Sequence, residues 1–204
     1  MSGEQRVFLV DDQPAVLKAL ARLLGAAGFA VQPYASARAF LDALAADGAG
    51  GCLVLDLSMP EMDGLALQQA LAARASTLPI IFLTGHGDID TGVRAMKLGA
   101  ADFLTKPVDD ERLIAAIHAA LAQHRQARSA GAELDEIRQR LATLTPRETE
   151  VLHLIIEGLL NKQVAAALGT VEKTVKVHRA RVMAKMQVRS VTALVRLVDR
   201  ARLG

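Results

Sequence analysis

The sequence predicts two structural classes in one chain: a doubly wound α/β domain on a five-stranded parallel sheet, then a separate all-α helix-turn-helix domain of four helices. Three observations carry that expectation. Short β-type runs alternate with helical-period segments over about the first 125 residues, and no strand pattern returns further on. Charge divides with the pattern: residues 1–122 carry a net −5, residues 123–140 +1 and residues 141–204 +6, beneath a whole-chain value of only +2. The 204 residues suffice for two cores, and 51% hydrophobic with 23% charged residues excludes disordered and fibrous classes. The opening Met1-Ser2-Gly3-Glu4-Gln5 is not a secretory signal and no apolar run is long enough for a bilayer, so the expected setting is soluble and cytoplasmic, without a membrane partner.

The strand candidates are Arg6–Val10, Ala30–Tyr34, Cys52–Leu55, Pro79–Leu83 and Asp102–Thr105. After the first, Val16, Leu17, Leu20, Leu23, Leu24 and Ala27 form one helical stripe, with Pro14 in the first turn, where a missing N–H is harmless, and Gly28 at the end. Apolar strands joined by helices require a parallel sheet covered on both faces. Pro33 cannot donate to a ladder, which makes the second strand an edge and favours the order 2-1-3-4-5. The single cysteine, Cys52, lies in an apolar strand and reads as core, with no partner for a disulfide and no thiolate cluster for zinc.

These boundaries give a domain over residues 1–122, a polar and partly helical linker over 123–143, and a second domain over 144–204. In the last, Thr145-Pro146-Arg147-Glu148 is a capping box, and Val151, Leu152, Ile155 and Ile156 follow at helical spacing until Gly158. Asn161 is expected to cap a short helix ending at Leu168-Gly169, a basic helix runs from about Glu172 to Gln187, and Ser190 caps the last. Two helices around a tight glycine-containing turn form a helix-turn-helix.

Functional groups in a parallel sheet gather beyond the carboxyl ends of the strands, here Asp11-Asp12, Asp56, Thr84 and Lys106-Pro107. Three carboxylates within about 5 Å would repel by roughly 3 kcal/mol per pair at an effective dielectric near 20, so they call for a cation. Oxygen ligands select a hard ion, and Mg²⁺ suits a site that keeps waters and a phosphoryl oxygen. The set fits phosphoryl transfer: one carboxylate attacks phosphorus, the cation and lysine neutralise charge, and the hydroxyl holds an equatorial oxygen. A dinucleotide fold is disfavoured because Asp90 stands where a third glycine would follow Gly85-His86-Gly87. A haloacid-dehalogenase-like phosphohydrolase would need Asp-x-Asp, which Asp11-Asp12-Gln13 does not supply.

Asp11-Asp12, the run Asp56-Leu57-Ser58-Met59-Pro60-Glu61-Met62-Asp63-Gly64, Thr84-Gly85 and Phe103-Leu104-Thr105-Lys106-Pro107 resemble the receiver domain of two-component response regulators. The resemblance implies that Asp56 is the phosphoacceptor, that Asp11, Asp12, Asp56 and the Ser58 carbonyl hold Mg²⁺, that Thr84 and Lys106 bind the phosphoryl group, and that Phe103 is a rotating switch aromatic. His86, two residues after Thr84, reads as a solvated loop histidine that could also shape water access.

In the basic half, Lys173, Lys176, Arg179, Arg181, Lys185 and Arg189 occur with no acid among them, in the helix that an HTH places in the major groove. Aromatic residues are absent there, which argues against single-strand or RNA recognition by stacking. Leu144-Thr145-Pro146-Arg147-Glu148, Asn161-Lys162-Gln163-Val164-Ala165 and Thr174-Val175-Lys176-Val177-His178-Arg179 resemble the LuxR-type DNA-binding domain, and the two resemblances together indicate the NarL/FixJ family. Lys176, Val177 and Ala180 are then expected at base edges, with Lys173, Thr174, Arg181 and Lys185 at phosphates and Val175, Val182 and Met186 inside. Val171 stands where that family usually has a capping Ser.

The expected function is a phosphorylation-controlled transcription factor, not an enzyme. Its implied partners are a sensor histidine kinase, double-stranded promoter DNA, RNA polymerase and, on phosphorylation, a second copy of the chain. The alternative is a phosphorylation-gated interaction module whose helical domain binds a protein.

Overall fold

The structure is a computed structural model that describes residues 5–47, 50–85 and 89–203; His86 and the residues before Gln5 lie outside them. The chain divides into two compact units, Met1–Gln126 and Ala127–Gly204. The first alternates β1 (Arg6–Val10), α1 (Pro14–Ala26), β2 (Ala30–Tyr34), α2 (Ala37–Asp47), β3 (Cys52–Asp56), α3 (Gly64–Ala73), β4 (Ile80–Thr84), α4 (Ile89–Lys97), β5 (Asp102–Thr105) and the start of α5 (Asp110–Ala142). All pairings are parallel, in the order β2-β1-β3-β4-β5, as the alternation and Pro33 demand.

Alternation along each strand builds a core on each face of the sheet. Phe8, Val10, Leu53, Leu55 and Phe82 pack with Phe40, Leu41, Leu67 and Leu71 of α2 and α3. Val7, Leu9, Cys52, Val54, Ile81 and Leu83 pack with Leu17 and Leu24 of α1 and Leu113 and Ile117 of α5. Burial pushes the Cys52 thiol up to about 12, consistent with its reading as core.

The second unit holds the end of α5, then α6 (Pro146–Ile156), α7 (Asn161–Ala167), α8 (Glu172–Lys185) and α9 (Val191–Leu203) around Val151, Leu152, Ile155, Val164, Val175, Val182, Met186 and Leu194. The capping box is complete: Thr145 Oγ1 accepts from the Glu148 amide, and Glu148 Oε2 accepts from the Thr145 amide. Gly169, at φ +61°, makes the turn between α7 and α8.

Two local expectations change. Asn161 is the first residue of α7 rather than its cap: Leu160 is the extended N-cap residue, and its amide donates to Gln163 Oε1. Asn161 Oδ1 accepts instead from Arg179 of α8. The polar segment read as a partly helical linker lies almost wholly within α5, which continues without a break to Ala142. Among the described residues no helix is long and apolar enough to cross a membrane.

Candidate functional site

Parallel register brings the strand ends level. Val10 pairs with Leu55, Asp56 with Leu83, and Thr84 with Thr105, so Asp11, Asp56, Thr84 and Lys106 all emerge at one edge of the sheet. The Lys106 amide donates to the Thr84 carbonyl at 2.7 Å and the Leu57 amide to the Leu83 carbonyl at 3.2 Å, which extends the ladder past the strands and fixes their exits.

Lys106 Nζ lies 2.7 Å from Asp11 Oδ2 and 2.6 Å from Asp56 Oδ1. Both carboxylates are almost fully buried, at 3% and 5% exposure, so the ammonium supplies the charge that their desolvation requires. The remaining Asp56 oxygen accepts from the Ser58 amide at 3.0 Å, and Asp11 Oδ1 accepts from the Gln13 amide at 2.8 Å. Burial pushes the Asp56 carboxyl above the ordinary carboxylate range, with Lys106 pulling the other way. Burial would lower the Lys106 ammonium, but its bonds to Asp11 and Asp56 prevail and hold it above its ordinary value.

Asp12 Oδ1 is buried and has no hydrogen-bond partner. Among the described residues no three acidic, imidazole or thiol groups are gathered closely enough to enclose an ion as they stand, and Lys106 bridges Asp11 and Asp56. The donor set is nonetheless the hard, anionic oxygen set that suits Mg²⁺, and the orphaned Asp12 oxygen is an acceptor awaiting a cation or a donor. Thr84 is buried at the end of β4. The half-buried Phe103 ring lies 6.3 Å from that of Phe82, and on its α4 side Gly92 leaves it room: a Cβ there would stand 3.3 Å from the ring.

Sequence reasoning takes Gly64 only as the end of the Asp56–Gly64 run and gives it no role; it follows the Asp63 N-cap of α3. A Cβ at Gly64 would stand 2.6 Å from the Asp56 carbonyl oxygen. Nothing in its spacing alone signals this; the close approach of the α3 start to the end of β3 is a tertiary contact that only glycine admits.

Residues 7–118 match the family described as response regulator receiver domain, and residues 142–198 match the bacterial regulatory proteins of the luxR family. The chain belongs to the response regulators. It is a phosphorylation-dependent, DNA-binding transcriptional regulator of a two-component system. This response regulator is 44% identical over 199 residues to the response regulator protein TmoT of Ectopseudomonas mendocina, covering 98% of this chain and 90% of that one. It is 43% identical over 201 residues to the transcriptional regulatory protein FixJ of Bradyrhizobium diazoefficiens, covering 98% of each. Among solved structures it superposes on the response regulator StyR with a TM-score of 0.89 at 44% identity, over 97% of this chain and all of that one.

On the output side of the response regulator, Val175, Val182 and Met186 are fully buried, which sets the inward face of α8. Lys173, Lys176, Val177, Ala180 and Arg181 are exposed, and Thr174 is half-buried. Lys176 pairs with Glu172 one turn earlier, at 3.1 Å. Lys185 is placed differently from the phosphate contact expected of it. Its Nζ donates to Oε2 of the buried Glu148 at 2.6 Å and to the Thr143 carbonyl at 2.8 Å, so its charge serves the interior of its own domain. Val171 is the N-cap residue of α8, extended at φ −97° and ψ 150°, and supplies no side-chain acceptor.

Proposed function

We propose that Asp56 accepts a phosphoryl group from the phosphohistidine of a sensor kinase and that the acyl phosphate controls promoter binding by α8. The observation that carries this is the convergence of the Asp11 and Asp56 carboxylates within 2.7 Å of the Lys106 ammonium at the carboxyl edge of the sheet. An Asp56 carboxylate oxygen attacks phosphorus and the P–N bond breaks. The departing imidazole keeps the electron pair, and the product is an aspartyl phosphate. The carboxylate is its own nucleophile, so no general base is needed. Lys106 then follows the new charge from the carboxylate to the phosphoryl oxygens, and Thr84 holds one of them.

Asp11, Asp12, Asp56 and the Ser58 carbonyl are the groups that would hold Mg²⁺, which when bound neutralises charge on the transferring group. Within this reading the chain is a phosphoacceptor and transcription factor, not an enzyme acting on a separate substrate, and works in the cytoplasm. Residues 1–122 receive the signal, 123–143 connect, and 144–204 bind DNA. Exposed Val93, Met96 and Leu98, on and just after α4, support dimerisation through α4 and β5 once Asp56 is phosphorylated. Bound as a dimer, the output domains would present promoter DNA to RNA polymerase.

Stoichiometric label from a small-molecule phosphodonor is expected on the wild-type chain and none on Asp56→Asn or in excess chelator. Asp56→Asn labelled like the wild type would refute the assignment.

A further inference from the structure

We propose that Val171 is a specificity-determining residue that reads the C5-methyl group of a thymine in the major groove. The inference rests on α8 being the base-reading helix. Large exposed aliphatic side chains are few among the described residues, and two of them belong to α8: Val171, at 65% exposure, at its N-cap, and Val177, at 46%, on its outer side further along. The Val171 carbonyl starts α8 by accepting from the Thr174 and Val175 amides, but its side chain makes no cap hydrogen bond and, exposed, stands off the buried Val175–Val182 stripe of the helix.

In a helix-turn-helix the amino-terminal end of the second helix is the part that meets base edges. Around Val171 and Val177 the exposed charges are Lys173, Lys176 and Arg181, with Glu172 bound to Lys176, so the surroundings favour a polyanion over an apolar protein surface. Of the groups a base pair shows in the major groove, only the thymine methyl is apolar, and an aliphatic side chain recognises it by contact. Valine therefore exchanges the helix cap that a serine would give for a methyl-reading contact. Leu160, 70% exposed as the N-cap residue of α7, provides an internal control, because the first helix of the motif crosses the backbone rather than entering the groove.

The test uses the full-length phosphorylated chain and the duplex it enriches from a randomised 20-base-pair library, resynthesised with deoxyuridine in place of each thymidine in turn. Loss of one methyl contact should weaken wild-type binding about three- to fivefold at one thymine in each half-site. Val171→Ala and Val171→Ser should bind the thymidine duplex more weakly and no longer distinguish deoxyuridine there, while Leu160→Ser keeps the wild-type discrimination. Thermal melting of each variant confirms that it is folded. Discrimination unchanged in Val171→Ala, or absent from the wild type, would overturn this inference and leave DNA binding by α8 intact. Failure to enrich any duplex would overturn the underlying reading of α8 and this inference with it.

Discussion

Lys185 shows how a charge that looks like a ligand contact in sequence can be structural. Glu148 is 2% exposed, and its Oε2 accepts both the Thr145 amide and the Lys185 ammonium. Lys185, helped by the Thr145 amide, holds the Glu148 carboxyl down at about 2, against an ordinary value of 4.5. A carboxyl depressed in the folded state stabilises above its unfolded value and loses that contribution as pH falls through the folded one. The difference in thermal midpoint between wild type and Glu148→Gln should therefore be full above about pH 4.5 and shrink toward pH 2. Lys185→Ala should lower the midpoint at pH 7, since it strands a buried carboxylate. Scanning calorimetry on the three proteins reads both effects. Gly64 is the corresponding case beside Asp56, the proposed phosphoacceptor. With the Asp56 carbonyl oxygen 2.6 Å and the Phe82 ring 2.9 Å from a built Cβ, Gly64→Ala must move β3 or α3, at a cost of about 1–3 kcal/mol in chemical denaturation, and should slow phosphoryl uptake.

At the scale of elements, the sheet was legible because its strands are short apolar runs bounded by turn residues. Three of five strands fall within the residues expected, and the others shift by one because Asp56 and Thr84, read as following their strands, are their last paired residues. The site was equally legible, since a parallel sheet leaves its strand ends in register. Less legible were features decided by tertiary contacts. Asn161 has the right chemistry for a cap, but Arg179 takes its side chain. The continuation of α5 was obscured by Ser129 and Gly131, whose low helix propensity is overcome by formers on both sides and by the pairs Arg138–Asp135 and Arg140–Glu136. Residues 125–133 of this helix are exposed throughout, so propensity governs them. A Cβ at Gly131 meets nothing within 4 Å, and Gly131→Ala should stabilise this stretch by about 0.5–1 kcal/mol, seen as slower amide hydrogen exchange across residues 125–133.

For the whole molecule, the division of charge between −5 and +6 separates an acidic phosphoacceptor half from a basic half made for a polyanion, and both were readable before any fold was known. What the charge count could not supply is which cations are available to DNA. Within α8, Lys185 is held by Glu148 and Arg179 by Asn161, Lys176 keeps a solvated partner in Glu172, and Arg181 is exposed on the outer side. Each phosphate neutralised contributes about −0.9 to the slope of log K against log salt, whereas a base contact changes discrimination. Arg181→Ala should therefore flatten the slope by about 0.9 and weaken all duplexes alike. Lys176→Ala should cost about 1–3 kcal/mol on the preferred duplex and relax preference at particular base pairs. Lys185→Ala should leave the slope nearly unchanged at temperatures where it remains folded, because the charge it removes already belongs to Glu148. Titrations of specific and random duplexes across 50–200 mM salt separate the three outcomes, and equal losses on both duplexes for Lys176→Ala would move that residue from the base edges to the phosphates.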